Sequence, residues 1–301
     1  MAMDMDKEQD LLKRIQAGMP GFSKGQKLIA NFIINHYDKA AYMTAAKLGE
    51  EVGVSESTVV RFANEIGFDG YPKLQKVLRE MNKSKLTAVQ RIEVTSSRIN
   101  EGNILKSVLQ SDMEKIKATL EEIDQESFNN IVKSILNARK IYILGVRSSA
   151  PLASFLGFYF NLIFDNVRLV HTTSVSEMFE QIIHASRGDV VIGISFPRYS
   201  KRTINAMRFA QNQGATVVAI TDSLYSPLAK NADHVITARS DMASFVDSLV
   251  APLSVINALI VAIGMSRKPH VQETFERLEK IWDEYKVYEK QDYDSNYGEE
   301  D

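Results

Sequence analysis

Apolar residues recur every three or four positions through the first quarter of the chain, the spacing of helices that bury one face. Leu28, Ile29, Phe32 and Ile33 form one such face, and Ser23 with Gln26 has the spacing of a capping box at its start. Residues 43–68 read as two short helices around a tight turn. In the first, Ala45, Leu48 and Val52 share a face, and the Thr44 hydroxyl caps the N-terminus. Gly53 follows, where the turn needs a left-handed backbone. Val54 packs inward and Ser55 caps the second helix. There Val59, Phe62, Ala63 and Ile66 point one way. Ser57, Arg61 and Asn64 point the other, and Thr58 sits near the helix start. Gly67 closes this helix, and Pro72 opens a fourth at its first position, with Lys73, Lys76, Arg79 and Lys83 along one side.

The pattern then changes twice. From residue 81 the chain turns polar and loses its apolar period, and helices resume over 103–122 and 124–137, with Asn103 and Asp124 as caps. Short β-branched apolar runs follow at 141–144, 167–170, 190–194, 217–220 and 234–237. Mostly helical stretches separate them, and this alternation predicts a doubly wound, five-stranded parallel sheet flanked by helices. The most apolar run, 245–263, contains Asp247, Ser248, Pro252, Ser254 and Asn257. It reads as a buried helix, in the core or in an association surface, and not as a membrane span. The chain thus divides into an all-α helix-turn-helix unit (1–81), a linker (82–102), an α/β unit (103–288) and an acidic, disordered tail (289–301).

A length of 301 residues suits two domains, and 45% hydrophobic with 25% charged residues is ordinary for a soluble protein. The net charge of -2 excludes a globally basic nucleic-acid binder, but the charge is uneven. Residues 22–85 carry ten Lys or Arg against seven Asp or Glu, whereas residues 283–301 carry eight acids against two bases. The absence of cysteine removes disulfide and thiolate chemistry and points to a reducing, cytoplasmic setting. The acidic start, MAMDMDKEQD, is unlike a signal peptide.

Two regions carry chemistry. In a helix-turn-helix the second helix lies in the major groove of double-stranded DNA. Arg61 suits guanine and Asn64 adenine, while the hydroxyls of Thr44, Ser55, Ser57 and Thr58 and the charges of Lys73 and Lys76 suit phosphates. The plainer alternative is a helical hairpin in a core with a solvated charged face. In parallel sheets ligands bind beyond the carboxyl ends of the strands. The first strand leads into Gly145, Arg147, Ser148 and Ser149. The third leads into Ser195, Arg198, Tyr199, Ser200, Lys201, Arg202 and Thr203. Donors of this density at helix starts suit an anion, the alternative being capping plus surface charge. Residues 221–223 and 226–229 read as shaping the sheet edge. No metal site is expected, because the five histidines, His36 among them, lack ligand spacing.

The chain resembles bacterial transcription regulators of the RpiR/MurR family, which pair an N-terminal helix-turn-helix with a SIS (sugar isomerase) domain. The resemblance rests on FSKGQKLIANFI at 22–33, VSESTVVRFANEIGFDGYPKLQ at 54–75, ILGVRSSA at 143–150, DVVIGIS at 189–195 and GATVVAITDSLYSPLAKNAD at 214–233. It implies operator binding as a homodimer or homotetramer, modulated by a sugar phosphate, sugar acid or related anionic metabolite, with no cofactor, no membrane and no catalysis. The family's phosphosugar loops read Gly-x-Gly-x-Ser and Ser-x-Ser-Gly-x-Thr. Here Arg147 stands at the second Gly, Pro197 and Arg198 replace the inner Ser and Gly, and Ser200 stands for Thr. Gly145, Ser149, Ser195 and Ser200 keep their family roles. Arg147, Arg198, Lys201 or Arg202 either neutralise the anion or fill the cradle. Two alternatives follow: a SIS domain blind to ligand that only dimerises, and a phosphosugar isomerase drawing its base from His171, Glu177, Glu180 or His184.

Overall fold

The computed structural model describes residues 11, 14–83, 92, 101–171, 174–224, 226–240 and 246–288. Most of the expected linker and the whole tail at 289–301 lie outside the described residues.

The N-terminal part is all helical: α1 (Lys24–Ala40), α2 (Ala45–Val52), α3 (Glu56–Glu65) and α4 (Tyr71–Lys83). The expected caps form. Ser23 and Gln26 complete a capping box, Thr44 accepts from Lys47 N–H, and Ser55 accepts from Thr58 N–H. Gly53 takes φ +74°, a left-handed conformation that costs a residue with a Cβ about 1 kcal/mol or more. Ile29, Ile33, Leu48, Val59, Phe62, Leu74 and Leu78 are fully buried and bind the four helices into one core. Tyr71 starts α4, one residue before the expected Pro72, and its hydroxyl donates to Ala40 O and Met43 O.

The second part begins with α5 (Ile104–Glu122) and α6 (Gln125–Leu136). Asp124 caps α6 through the N–H groups of Glu126 and Ser127. Asn103 does not cap α5: it ends a 3₁₀ turn, its φ of -151° and ψ of 49° lie outside the cap conformation, and its side chain makes no capping bond. Five strands follow, with α7 (Ala150–Ile163), α8 (Val175–Ile182) and α9 (Lys201–Asn212) between the first four. They are β1 (Ile141–Gly145), β2 (Val167–Val170), β3 (Val190–Ile194), β4 (Thr216–Thr221) and β5 (His234–Thr237), each within a residue of the run that predicts it. Two helices close the described chain, α10 (Val250–Ser266) and α11 (Lys268–Glu284).

The sheet is all parallel, in the order β2-β1-β3-β4-β5, with Ile141 opposite both Val167 and Val190. Alternate residues of each strand face opposite sides. Ile141 and Ile143 join α6, α7 and α10 in one core, whereas Tyr142 and Leu144 join α8 and α9 in the other. The sheet is therefore doubly wound, as its sequence pattern implies. The apolar run near 250 belongs to the first core: Val255, Ile256, Leu259 and Ile263 of α10 are buried there, which leaves this face unavailable for association. Among the described residues no single helix is long and apolar enough to cross a membrane.

Candidate functional site

The helical part presents α3 as its polar ridge. Val59, Phe62 and Ala63 anchor one side of α3 in the core, which turns Ser57, Arg61 and Asn64 to solvent. At its start the hydroxyls of Ser55, Ser57 and Thr58 cluster, with Ser55 Oγ 3.0 Å from Ser57 Oγ and 2.8 Å from Thr58 Oγ1. Arg61 Nε donates to Ser57 O at 3.2 Å, so the guanidinium lies back along the helix toward those hydroxyls. A concavity of about 550 Å³ sits there, lined by Ser23, Gly25, Gln26, Val54, Ser55, Thr58 and Arg61. Two helix N-termini, those of α1 and α3, thus open on one polar notch with an arginine at its rim. Both N–H ends favour an anion. Ser23, Gly25 and Gln26 escape a sequence reading because their capping-box pattern fully explains them.

The other residues singled out divide between surface and scaffold. Thr44 is spent on capping α2. Asn64 Oδ1 accepts from Gly70 N–H at 2.9 Å, which pins the turn into α4 and commits half of this side chain to structure. Lys73 is exposed, and Lys76 lies 4.0 Å from Glu122. Arg79 departs from the expected charged side: its guanidinium turns inward, donating to Ala41 O and Gln75 Oε1.

In the α/β part, the chain order places β1 and β3 side by side, with β1 crossing over to β2 on one flank and β3 to β4 on the other. Here the order of strands reverses, and it is beyond the carboxyl ends at such a switch point that open parallel sheets form their ligand crevice. Both loops expected to hold a ligand leave from this point. After β1, Gly145 turns so closely that a Cβ would come 2.6 Å from Ser149 O and 2.8 Å from Ala153 Cβ. Residues Arg147–Ser149 form a 3₁₀ turn into α7. Ser149 is buried and makes no capping bond, so its hydroxyl is not spent on the helix, while Arg147 and Ser148 are exposed. After β3, Ser195 is buried and its Oγ accepts from Ser200 N–H at 3.1 Å. Ser200 caps α9 by accepting from Thr203 N–H, and Tyr199 donates to Asp222 Oδ1 at 2.8 Å, tying this loop to the end of β4. Lys201 and Arg202 are exposed. The Thr203 hydroxyl is fully buried and has no partner among the described residues.

Arg147 and Arg198 take φ of 56° and 68°. These are the positions at which the resemblance expects glycine. Arginine stands at both with the left-handed backbone that glycine would take, one after β1 and one after β3. His171, Glu177, Glu180 and His184 are exposed on and around α8. No group of three His, Asp or Glu suited to a metal ion occurs among the described residues.

Comparison with known proteins agrees with this anatomy. Residues 9–85 match the helix-turn-helix domain of the rpiR family, and residues 134–262 match the SIS domain. The regulator HexR of Escherichia coli K12 is 26% identical over 280 residues, spanning 90% of this chain and 93% of HexR. An uncharacterised helix-turn-helix regulator of Haemophilus influenzae is 26% identical over 244 residues, 77% of this chain and 81% of the relative. Among solved structures, the sugar isomerase domain of an RpiR transcription factor from Sphaerobacter thermophilus aligns with 59% of this chain and 99% of its own, at TM-score 0.56 and 25% identity. NanR of Vibrio vulnificus, complexed with ManNAc-6P, aligns with 91% of this chain and 98% of its own, at TM-score 0.54 and 21% identity. With its reader matched in one half and its sheet in the other, the chain belongs to the rpiR family of helix-turn-helix transcriptional regulators that carry a SIS domain.

Proposed function

We propose that this regulator's operator affinity is set by an anionic metabolite, of the sugar phosphate or sugar acid class, held between the loops that follow β1 and β3. The observation that carries this reading is the strand order, which puts both loops at the switch point of the sheet. The helix starts of α7 and α9 supply amide donors there, Ser149 and Thr203 supply hydroxyls not spent on the fold, and Arg147, Arg198 and Lys201 supply positive charge. The fold shared with NanR, whose structure holds ManNAc-6P, makes sugar phosphates the first class to test. Gly145, Ser148, Ser195, Tyr199 and Ser200 shape the crevice around the anion.

On the DNA side, Arg61 reads a base edge or an adjacent phosphate, Ser55, Ser57 and Thr58 bind phosphate at the α3 notch, and Thr44, Asn64, Lys73 and Lys76 border the same surface. One short reader buries too little for tight, selective binding, so two copies engage half-sites about one helical turn apart. The SIS domain acts as a sensor and not as an isomerase, and the protein works in the cytoplasm beside its DNA.

The test is thermal stability and operator binding of the purified protein against a panel of sugar phosphates and sugar acids, with Ser149→Ala/Ser200→Ala alongside. A metabolite that binds should stabilise the wild type and shift operator affinity, provided that it binds two conformations unequally. The double variant should lose that shift and keep metabolite-free operator binding. Retention of the full response places the effector elsewhere. A second reading has its own support: arginines at both former glycine positions can occupy the crevice themselves and leave a SIS domain that only assembles the regulator. A wild type indifferent to the whole panel would select it.

A further inference from the structure

Helix α5 is amphipathic in the wrong sense for a monomer. Its inward side is polar: Lys115 and Thr119 are only 6% exposed, and each bond they make is to the chain itself. Lys115 Nζ donates to Ser111 Oγ at 2.6 Å and lies 3.7 Å from Asp112. Asp112 Oδ1 accepts from Ser248 Oγ at 2.6 Å, and Thr119 Oγ1 accepts from Arg239 N–H at 2.9 Å. Its outward side is apolar: Leu105 (74% exposed), Leu109 (55%), Met113 (69%), Ile116 (39%) and Leu120 (74%) stand in one row. The steps of four, four, three and four residues repeat after eleven, a period close to that of a straight helix, so the row does not drift off its face. Water-exposed apolar area of this extent on one face marks an association surface.

We propose that a second copy of this chain covers that row, its α5 lying antiparallel to the first across a two-fold axis at Met113. This rests on the dimeric reading of the regulator and assigns its surface. The row is nearly its own complement when reversed: about a centre between residues 112 and 113, Leu105 falls opposite Leu120 and Leu109 opposite Ile116, and the two Met113 side chains lie side by side at the axis. Charge at the two ends of the helix favours the same direction, although Glu121 also lies 4.0 Å from Lys117 of its own helix and the axis brings the exposed Glu114 near its own copy. The exposed Lys106 lies near the start of α5 and the exposed Glu121 near its end. Antiparallel pairing brings Lys106 beside the far end of its neighbour, whereas parallel pairing stacks like on like. The helix dipoles also oppose one another only in the antiparallel arrangement. Because the surface is built from one element turned on itself, it closes as a dimer and leaves no free edge to propagate.

The experiment uses the full chain, which has no cysteine. In sedimentation equilibrium, Met113→Glu should raise the dimer dissociation constant about thirtyfold or more, as expected for a charge at an interface centre. Thermal unfolding should show that the monomer stays folded, since Met113 is exposed. Lys106→Glu and Glu121→Lys should each weaken the dimer, and the two together should restore it. Met113→Cys should cross-link to itself under mild oxidation, while Leu105→Cys should cross-link to Leu120→Cys in a mixture and not to itself. Unchanged dimerisation in Met113→Glu overturns the proposed surface while leaving a dimeric regulator intact. Efficient self-linking of Leu105→Cys overturns the antiparallel direction. A wild-type chain that is monomeric yet binds its operator tightly overturns the dimeric reading itself.

Discussion

Arg61 shows how much one side chain can be asked to do. It leaves α3 on the face opposite Phe62, yet its Nε folds back on Ser57 O, at the mouth of the notch formed by two helix starts. A base-reading arginine removed to Ala costs about 1–3 kcal/mol of operator affinity at the cognate sequence only. A phosphate-binding one weakens all sequences alike and lowers the salt slope by about one. Titrating Arg61→Ala against operator and unrelated DNA at several salt concentrations distinguishes the two, and binding equal to wild type removes Arg61 from the interface. Arg147 and Arg198 invite the opposite experiment. Each holds a left-handed backbone that a Cβ disfavours. Replacing either with Gly should raise stability by about 1 kcal/mol while reducing the metabolite response, read as Tm with and without ligand. A loss of stability instead would mean that the guanidinium groups pack within the crevice, which favours the ligand-blind reading.

At the scale of elements, the two strands that frame the crevice are clamped at their other ends. Arg139, just before β1, donates from Nε and Nη2 to the two carboxylate oxygens of Asp189, just before β3, both at 2.9 Å. Burial pushes the Asp189 carboxyl up, but the Arg139 hydrogen bonds and the Ser186 N–H outweigh it and hold the group below the usual carboxylate range. The clamp is therefore fully present above about pH 4. It is lost as the pH falls through the depressed pKa of the folded state. Asp189→Asn should cost about 2 kcal/mol at neutral pH, the worth of a charged hydrogen-bonded pair, and should flatten the acid limb of Tm against pH. An unchanged acid limb would assign that limb to other carboxylates. The elements themselves were legible. The five strand runs, the capping box at Ser23 and the Gly53 turn are local signals, and each lies where its residues place it. Arg79 and Asn64 were not: a guanidinium on a helix surface and an amide beside a turn have their partners, Ala41 O and Gly70 N–H, fixed by packing between helices, which periodicity does not encode.

At the scale of the molecule, the two halves differ in how far sequence reaches. The crevice was legible as a pair of loops, because strand ends and helix starts are visible in the pattern. The neighbouring placement of β1 and β3, which brings the two loops together, is a property of chain order and emerges only in the sheet. The apolar run near 250, read as core or association surface, resolves into core for a related reason. The most apolar stretch, α10, supplies the buried core, whereas α5, with its mixture of Lys, Asp and Leu, turns its polar side in. Composition cannot separate those cases, since both sides of α5 are equally periodic. The inward polar row has a consequence of its own. Because those groups are already bonded within one chain, separating the proposed pair should leave no unsatisfied interior, and each copy should survive folded. Assembly then follows mass action, with paired copies rising as the square of the free chain at low expression. On the proposed dimeric reading, a cell that doubles its synthesis of this protein gains up to fourfold in the species able to grip both half-sites, so that gene dosage itself would sharpen the response.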